Sequence, residues 1–406
     1  MLALVGILLT GCSAPARRLD RRGTEIMVCG QLYDIGAPVV LWTDPGGYDA
    51  YRVERRFVPW EDSPWEKAQA AGLKEPNRYN LRSQRTALET YSPDQLERVR
   101  GGGWDLPSLQ QHVDQFVLHY DAAGTSRTCF RVLHDMRGLS VHFMLDLDGT
   151  IYQTLDVKER AWHATISNDR SIGVEIASIG AYPPDATNSP LAEWYQPDES
   201  GHTRIVLPDR LGNGGIRTPG FIGYPATEGL VPGTINGSRL VMYDFTPQQY
   251  ESLTRLTAAL CTLFPRIAPE CPRNADGSVA ADALTEEQWR EFQGILGHCH
   301  VQANKVDPGP ALRWDDLLRG VRGRMRQPRS AGSPACGTGH RARRRRQWVP
   351  VDPNPPAPRS VASSESTSTT VALATGAITI CAMRIPCVTE NGSLPWLISG
   401  TITGPR

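Results

Sequence analysis

The six residues Ser171-Ile172-Gly173-Val174-Glu175-Ile176 constrain the fold more than any other stretch. Side chains alternate between faces along a strand. Ile172, Val174 and Ile176 therefore share one face, and Glu175 points to the other. A sheet built on this strand has an apolar core on one side and a carboxylate on the opposite side. Two more short apolar runs end in histidine. Phe116-Val117-Leu118 precedes His119, and Gly294-Ile295-Leu296-Gly297 precedes His298. Each is too short for a helix and reads as a buried strand with a polar residue at its C-terminal end. Asp148-Gly149 lies between two apolar-rich segments and predicts a hairpin within residues 142–153.

Helices are signalled between these runs. Thr246-Pro247-Gln248-Gln249 opens one, with Thr246 as N-cap, Pro247 at the first position and Gln249 completing a capping box. Tyr250, Leu253, Leu256, Leu260 and Leu263 form its apolar stripe, and Pro265 ends it. Ser126 is placed to cap a helix carrying Phe130 and Leu133, and Trp314 to Val321 reads as a closing helix. The fold class is α/β, with a central mixed sheet flanked by helices.

The chain divides by composition. Residues 1–12 form a short apolar run ending in Cys12, and 13–109 read as a tether and an extension without clear periodicity. Residues 110–323 carry the strand and helix signals, interrupted at 180–239 by a long loop-rich insertion. Residues 324–406 turn to Gly, Pro, Ser and Arg and read as a disordered tail. Formal net charge is zero, which excludes a generally basic nucleic-acid binder, and the Arg-rich run at 341–346 reads as a solvated tail. There are nine cysteines and no C-x-x-C pair, so zinc ribbons and thioredoxin-type chemistry are excluded, and buried inert thiols are expected.

The chain contains no H-E-x-x-H, no G-x-S-x-G and no P-loop. His119, His298 and Asp307 would together offer three ligands of mixed N and O type. A catalytic zinc site keeps three protein ligands and leaves the fourth position for water.

Several stretches, in order, resemble a known family. They are Val117-Leu118-His119-Tyr120, the segment from His142 to Gln153, Arg160-Ala161-Trp162-His163-Ala164, the segment from Asn168 to Glu175, Gly297-His298, and Lys305-Val306-Asp307-Pro308-Gly309-Pro310. Together they resemble the type 2 N-acetylmuramoyl-L-alanine amidases, which share a fold with peptidoglycan-recognition proteins and phage T7 lysozyme. The resemblance covers roughly residues 110–320. It implies a zinc enzyme that cuts the amide between N-acetylmuramic acid and L-alanine in peptidoglycan or its fragments. The alternative is a non-catalytic peptidoglycan-binding module of the same fold.

By the same resemblance, His119, His298 and Asp307 hold the zinc, and Glu175 and Lys305 are catalytic. Zinc acidifies water and polarises a carbonyl, a carboxylate carries the proton, and a cation stabilises the oxyanion. His163, Trp162 and Asn168 are expected to line the substrate cleft. His142 and His134 read as structural. His300 departs from the family pattern, and on an extended segment it would face the same side as His298; Cys299 is a soft donor close by. Both are rival ligands that rank below Asp307.

Leu9-Thr10-Gly11-Cys12 after the apolar Leu2–Leu9 run resembles the bacterial lipobox, although no Lys or Arg precedes the run. It implies a lipid anchor at Cys12, and Ser13 after it favours the outer membrane, facing the periplasm. The closest likeness is then to the outer-membrane lipoprotein amidases. The expected partners are peptidoglycan or muropeptides and a membrane, with no nucleic acid, for a monomer.

Overall fold

A computed structural model describes residues 21–52, 57, 67, 70, 79–80, 92–93 and 104–326. The Leu9–Cys12 signal, most of 53–103 and the tail from 327 lie outside the described residues.

Six strands form the central sheet, in the order Gly294–Gly297, Gln115–Tyr120, Ser171–Ile176, Phe143–Leu145, Ile151–Gln153, Val39–Leu41. Neighbours run parallel except for the hairpin of Phe143–Leu145 with Ile151–Gln153, so the sheet is mixed, as expected. The hairpin turns at Asp148-Gly149. Gly149 sits at φ +82°, and a Cβ there would lie 2.7 Å from the Gln248 carbonyl oxygen. Only glycine meets both conditions.

The two sheet faces differ as the alternation requires. Phe116, Leu118, Ile172, Val174, Ile176 and Ile295 belong to the main core, with Leu253, Leu256 and Leu260 of helix Pro247–Leu263 and Leu317, Leu318 and Val321 of helix Trp314–Arg326. Thr246 caps the first of these helices in a full capping box. The closing helix runs five residues beyond Val321 and ends inside the stretch assigned to the tail. The opposite face carries Val117 and Leu296, packed with Ala164 and Val301. His119 and Glu175 share this second face.

The sheet also draws on residues that the sequence reading leaves outside the domain. Val39–Leu41 pairs in parallel with Ile151–Gln153. Just before it, Glu25–Val28 and Gln31–Asp34 form a hairpin. Gln153 holds that hairpin by accepting from Met27 N at 2.7 Å and donating to Met27 O at 2.7 Å. Asp156 accepts from the turn amides of Cys29 and Gly30 at 2.8 and 2.7 Å. The region 25–41 is therefore part of the fold, not a tether.

The insertion is more regular than its composition implies. Tyr195–Pro197 pairs with Thr203–Ile205, and Leu230–Ile235 pairs with Ser238–Tyr243. The second hairpin turns at Asn236-Gly237, both at positive φ (46° and 73°). The helix near 126 starts as predicted, but its N-cap is Thr125, whose hydroxyl accepts from Thr128 N.

One buried carboxylate yields a pH prediction. Asp146 accepts from Leu147 N at 2.9 Å, while its Oδ2 is buried without a partner among the described residues. Burial pushes its carboxyl up to about 7; the Leu147 amide opposes this and the Asp148 charge adds to it. The folded value lies above the unfolded value, so the protonated form favours folding. Its stabilising effect is complete below about pH 4 and is lost as pH rises through 7. Asp146→Asn mimics the protonated state. Its stability advantage over wild type should grow from near zero at pH 4 to on the order of 3 kcal/mol at pH 8. Thermal melts of both proteins across that range check this, and a difference independent of pH contradicts it.

Candidate metal centre

His119 stands near the C-terminal end of its strand, and His298 follows directly on Gly297. Those two strands are parallel neighbours, with Gly297 opposite Leu118. The ladder therefore delivers both imidazoles to one place. Asp307 arrives on the following loop, whose Asp307 carbonyl accepts from Cys299 N at 2.9 Å.

The three side chains converge. His119 Nδ1 lies 3.0 Å from His298 Nδ1 and 2.9 Å from Asp307 Oδ2. His298 Nδ1 lies 3.0 Å from the same oxygen. All three residues are buried. They are the group of His, Cys, Asp and Glu side chains among the described residues that could hold a metal ion. A single ion with bonds of about 2.0–2.1 Å can reach three donors so spaced.

The outer partners fit that role. His298 Nε2 lies 2.8 Å from Gln302 Oε1, an acceptor, so Nε2 carries the hydrogen and Nδ1 keeps its lone pair. His119 Nε2 lies 3.0 Å from His163 Nδ1, and His163 Nε2 lies 3.3 Å from Ser171 Oγ. Burial first, and then the neighbouring His298, push the His119 imidazole down to about 4. It is thus neutral near pH 7, the state a metal requires. Burial alone would raise Asp307, but when the facing histidines carry a proton, the His298 charge and the hydrogen bonds from His119 and His298 outweigh it and hold the carboxyl far below the usual range. Two lone pairs and a carboxylate oxygen meeting within 3.0 Å repel one another unless a proton or a cation lies between them.

Glu175 is the ladder partner of His119, on the same face. It is buried, and its Oε2 has no hydrogen-bond partner among the described residues. Burial, then the charges of Asp307 and Asp121, push its carboxyl well above the usual range. Lys305 has no ion-pair partner among the described residues, and its charge acts on both His119 and Glu175.

The rival ligands lie outside the cluster. His298–Val301 forms one helical turn rather than an extended segment. His300 is thereby turned away, accepting from Gly297 N at 2.9 Å and bonding the Ala280 carbonyl at 2.8 Å. Cys299 is buried against Ile235 and Leu240. His142 is structural, bonded to Gly173 N and Glu159 O, and so is His134, bonded to Asp135 and Arg52 O.

The expected cleft residues separate. His163 stands against His119. Trp162 is half-buried, with the Arg160 guanidinium 4.5 Å over its ring. Asn168 is buried and accepts from His163 N and Ala164 N at 3.0 and 2.7 Å. It holds the His163 loop. Sequence reasoning missed Gln302. Its signal is the i,i+4 spacing from His298, which places the two on one helix face.

Two buried histidines and a carboxylate, beside a glutamate whose Oε2 has no partner among the described residues, are the equipment of a metallohydrolase. Residues 109–201 match the family model described as N-acetylmuramoyl-L-alanine amidase. The match includes His119, His163 and Glu175; His298 and Asp307 lie beyond it. No curated protein matches the chain in a sequence search.

Solved structures are also similar. One is a selenomethionine derivative of AmpD, at 18% identity and TM-score 0.26, covering 52% of this chain and 86% of that one. Another is the amidase AmiD from E. coli with anhydro-N-acetylmuramic acid-L-Ala-D-γ-Glu-L-Lys, at 18% identity and TM-score 0.28, covering 52% and 57%. A third is the amidase LysC from Clostridium intestinale, at 15% identity and TM-score 0.28, covering 53% and 89%.

Proposed function

We propose that the chain is a zinc-dependent N-acetylmuramoyl-L-alanine amidase, hydrolysing the amide between N-acetylmuramic acid and L-alanine in peptidoglycan or its fragments. The observation that carries this is the His119–His298–Asp307 cluster with Glu175 beside it in the ladder. The family match points to the same bond.

Zinc, when bound by His119, His298 and Asp307, supplies Lewis acidity toward water and the scissile carbonyl. The chain's own residues do the rest. Glu175 Oε2 has no partner among the described residues, so it is available to take a proton from the attacking water and pass it to the leaving nitrogen. Burial and the charges of Asp307 and Asp121 raise this carboxyl, which makes its carboxylate a stronger proton acceptor. The Lys305 ammonium stabilises the negative charge that develops on the carbonyl oxygen. His163 keeps His119 in the tautomer that leaves Nδ1 bare. Trp162 offers the substrate an apolar wall, and Asn168 supports it by fixing the 163–164 backbone.

The same proposal includes a lipid anchor at Cys12, an outer-membrane location facing the periplasm and a monomeric state, on the Leu9–Cys12 pattern. No helix among the described residues is long and apolar enough to cross a membrane. The test is product analysis. Soluble muropeptides incubated with the protein should yield free peptides that begin at L-alanine. Intact muropeptides that stay bound to the protein would instead establish a binding module.

A further inference from the structure

The loop between His298 and Asp307 is held from outside the sheet. Asn236 sits at the tip of the Leu230–Ile235/Ser238–Tyr243 hairpin. Its Nδ2 donates to Lys305 O at 2.7 Å and Cys299 O at 3.0 Å, with Gln302 O at 3.4 Å. Its Oδ1 accepts from Ala283 N at 2.8 Å. Its backbone N donates to Ala281 O at 3.2 Å, and Leu284 N donates to His300 O at 2.9 Å. Around these bonds Ile235 and Leu240 pack on Cys299 and Val306.

Of the carbonyls that Asn236 meets, Cys299 O is one that a one-turn helix leaves without an intrahelical partner, and Gln302 O and Lys305 O belong to the loop that follows. His298–Val301 is that turn, and it begins on a metal-ligand candidate. Within the loop itself, Cys299 N donates to Asp307 O at 2.9 Å and Lys305 N to Gln302 O at 3.0 Å. The Asn236 carboxamide adds contacts to the carbonyls of Cys299, Gln302 and Lys305 at once, on both sides of the bend. It thereby joins those bonds in holding the path from His298 to Asp307, and the backbone position of Lys305 with it. The position also explains the residue. Asn236 lies at φ +46°, where asparagine and glycine are tolerated and most residues are strained.

We propose that Asn236 is a positioning residue for the metal centre: the insertion hairpin, through this one side chain, joins the Cys299 N–Asp307 O bond in holding the path from His298 to Asp307. The proposal rests on the zinc reading above. It also gives the 180–239 insertion a defined part in the site.

Asn236→Gly is the direct test, since glycine keeps the turn and removes the carboxamide. The readout is the zinc dissociation constant of the full chain, measured by competition with a chelator and independent of any substrate. It should weaken by about 10–100-fold. The metal-free melting midpoint should fall by less than about 5 °C. Thr246→Ala, which removes a helix cap away from the site, lowers stability comparably and should leave zinc affinity unchanged. If Asn236→Gly fails to fold, Asn236→Asp carries the test, because it keeps the turn and the Ala283 bond and loses the donor. Affinity unchanged in the variant overturns the proposal alone. So does an equal loss of affinity in Thr246→Ala, which would make the effect one of general stability. A wild-type chain that binds no zinc overturns the zinc reading and this proposal together.

Discussion

Glu175→Ala should lower kcat for amide hydrolysis by about 10²–10⁴-fold while zinc stays bound. The carboxylate is next to His119 in the ladder and is not among the three converging ligand atoms. Removing it takes away the proton carrier and leaves the donors in place. Its effect on stability should run the other way. Glu175 is buried with an oxygen that no described residue satisfies, and burying such a group costs free energy. The variant should therefore melt at the wild-type temperature or above it. Zinc content, kcat and melting midpoint, measured on one preparation, separate the roles. Full activity would place the proton carrier elsewhere, and lost zinc would make Glu175 a support of the metal centre.

Asp307→Ala should remove metal binding itself. Without its carboxylate, His119 and His298 are left as two neutral donors with no anionic charge to offset the ion. Zinc at 1,000 times its dissociation constant should stabilise wild type by about 4 kcal/mol. The variant should show no such shift under the same conditions, and its activity should equal that of chelated wild type. A normal zinc-dependent shift in the melting curve would mean that a different residue is the third ligand. His300 and Cys299 are the neighbours to examine then, although both are committed to other contacts.

The fold was legible where local chemistry and tertiary structure agree. Alternation in Ser171–Ile176 assigns Ile172 and Val174 to the core and Glu175 to the site face, and the structure does the same. Asp148-Gly149 and the Thr246 capping box are local devices, so a short window of sequence reveals them. Val39–Leu41 was not legible, because three apolar residues have no period and their partner strand is over a hundred residues away. His300 was misplaced for a geometric reason. On a strand, residues two apart share a side, but on a helical turn they are roughly 200° apart.

The site divides in the same way. His119 and His298 stand at the ends of recognisable strands, so their convergence follows once those strands pair. Asn168 resembles a cleft residue in sequence, yet its carboxamide is used by backbone amides four and five residues earlier. Gln302 and Asn236 act on a ring nitrogen and on loop carbonyls. Neither role has a motif, although Asn236-Gly237 is a strong hairpin signal and marks a turn inside the insertion.

The most direct measurement is a digest of purified peptidoglycan by the chain lacking residues 1–12, analysed by mass spectrometry in paired arms. One arm is untreated, one is chelated, and one is chelated and then resupplied with zinc. The account predicts free stem peptides beginning at L-alanine in the first arm, none in the second and their return in the third. Release of the same peptides in the chelated arm, or no release in any arm while the protein stays bound to the sacculus, would contradict it.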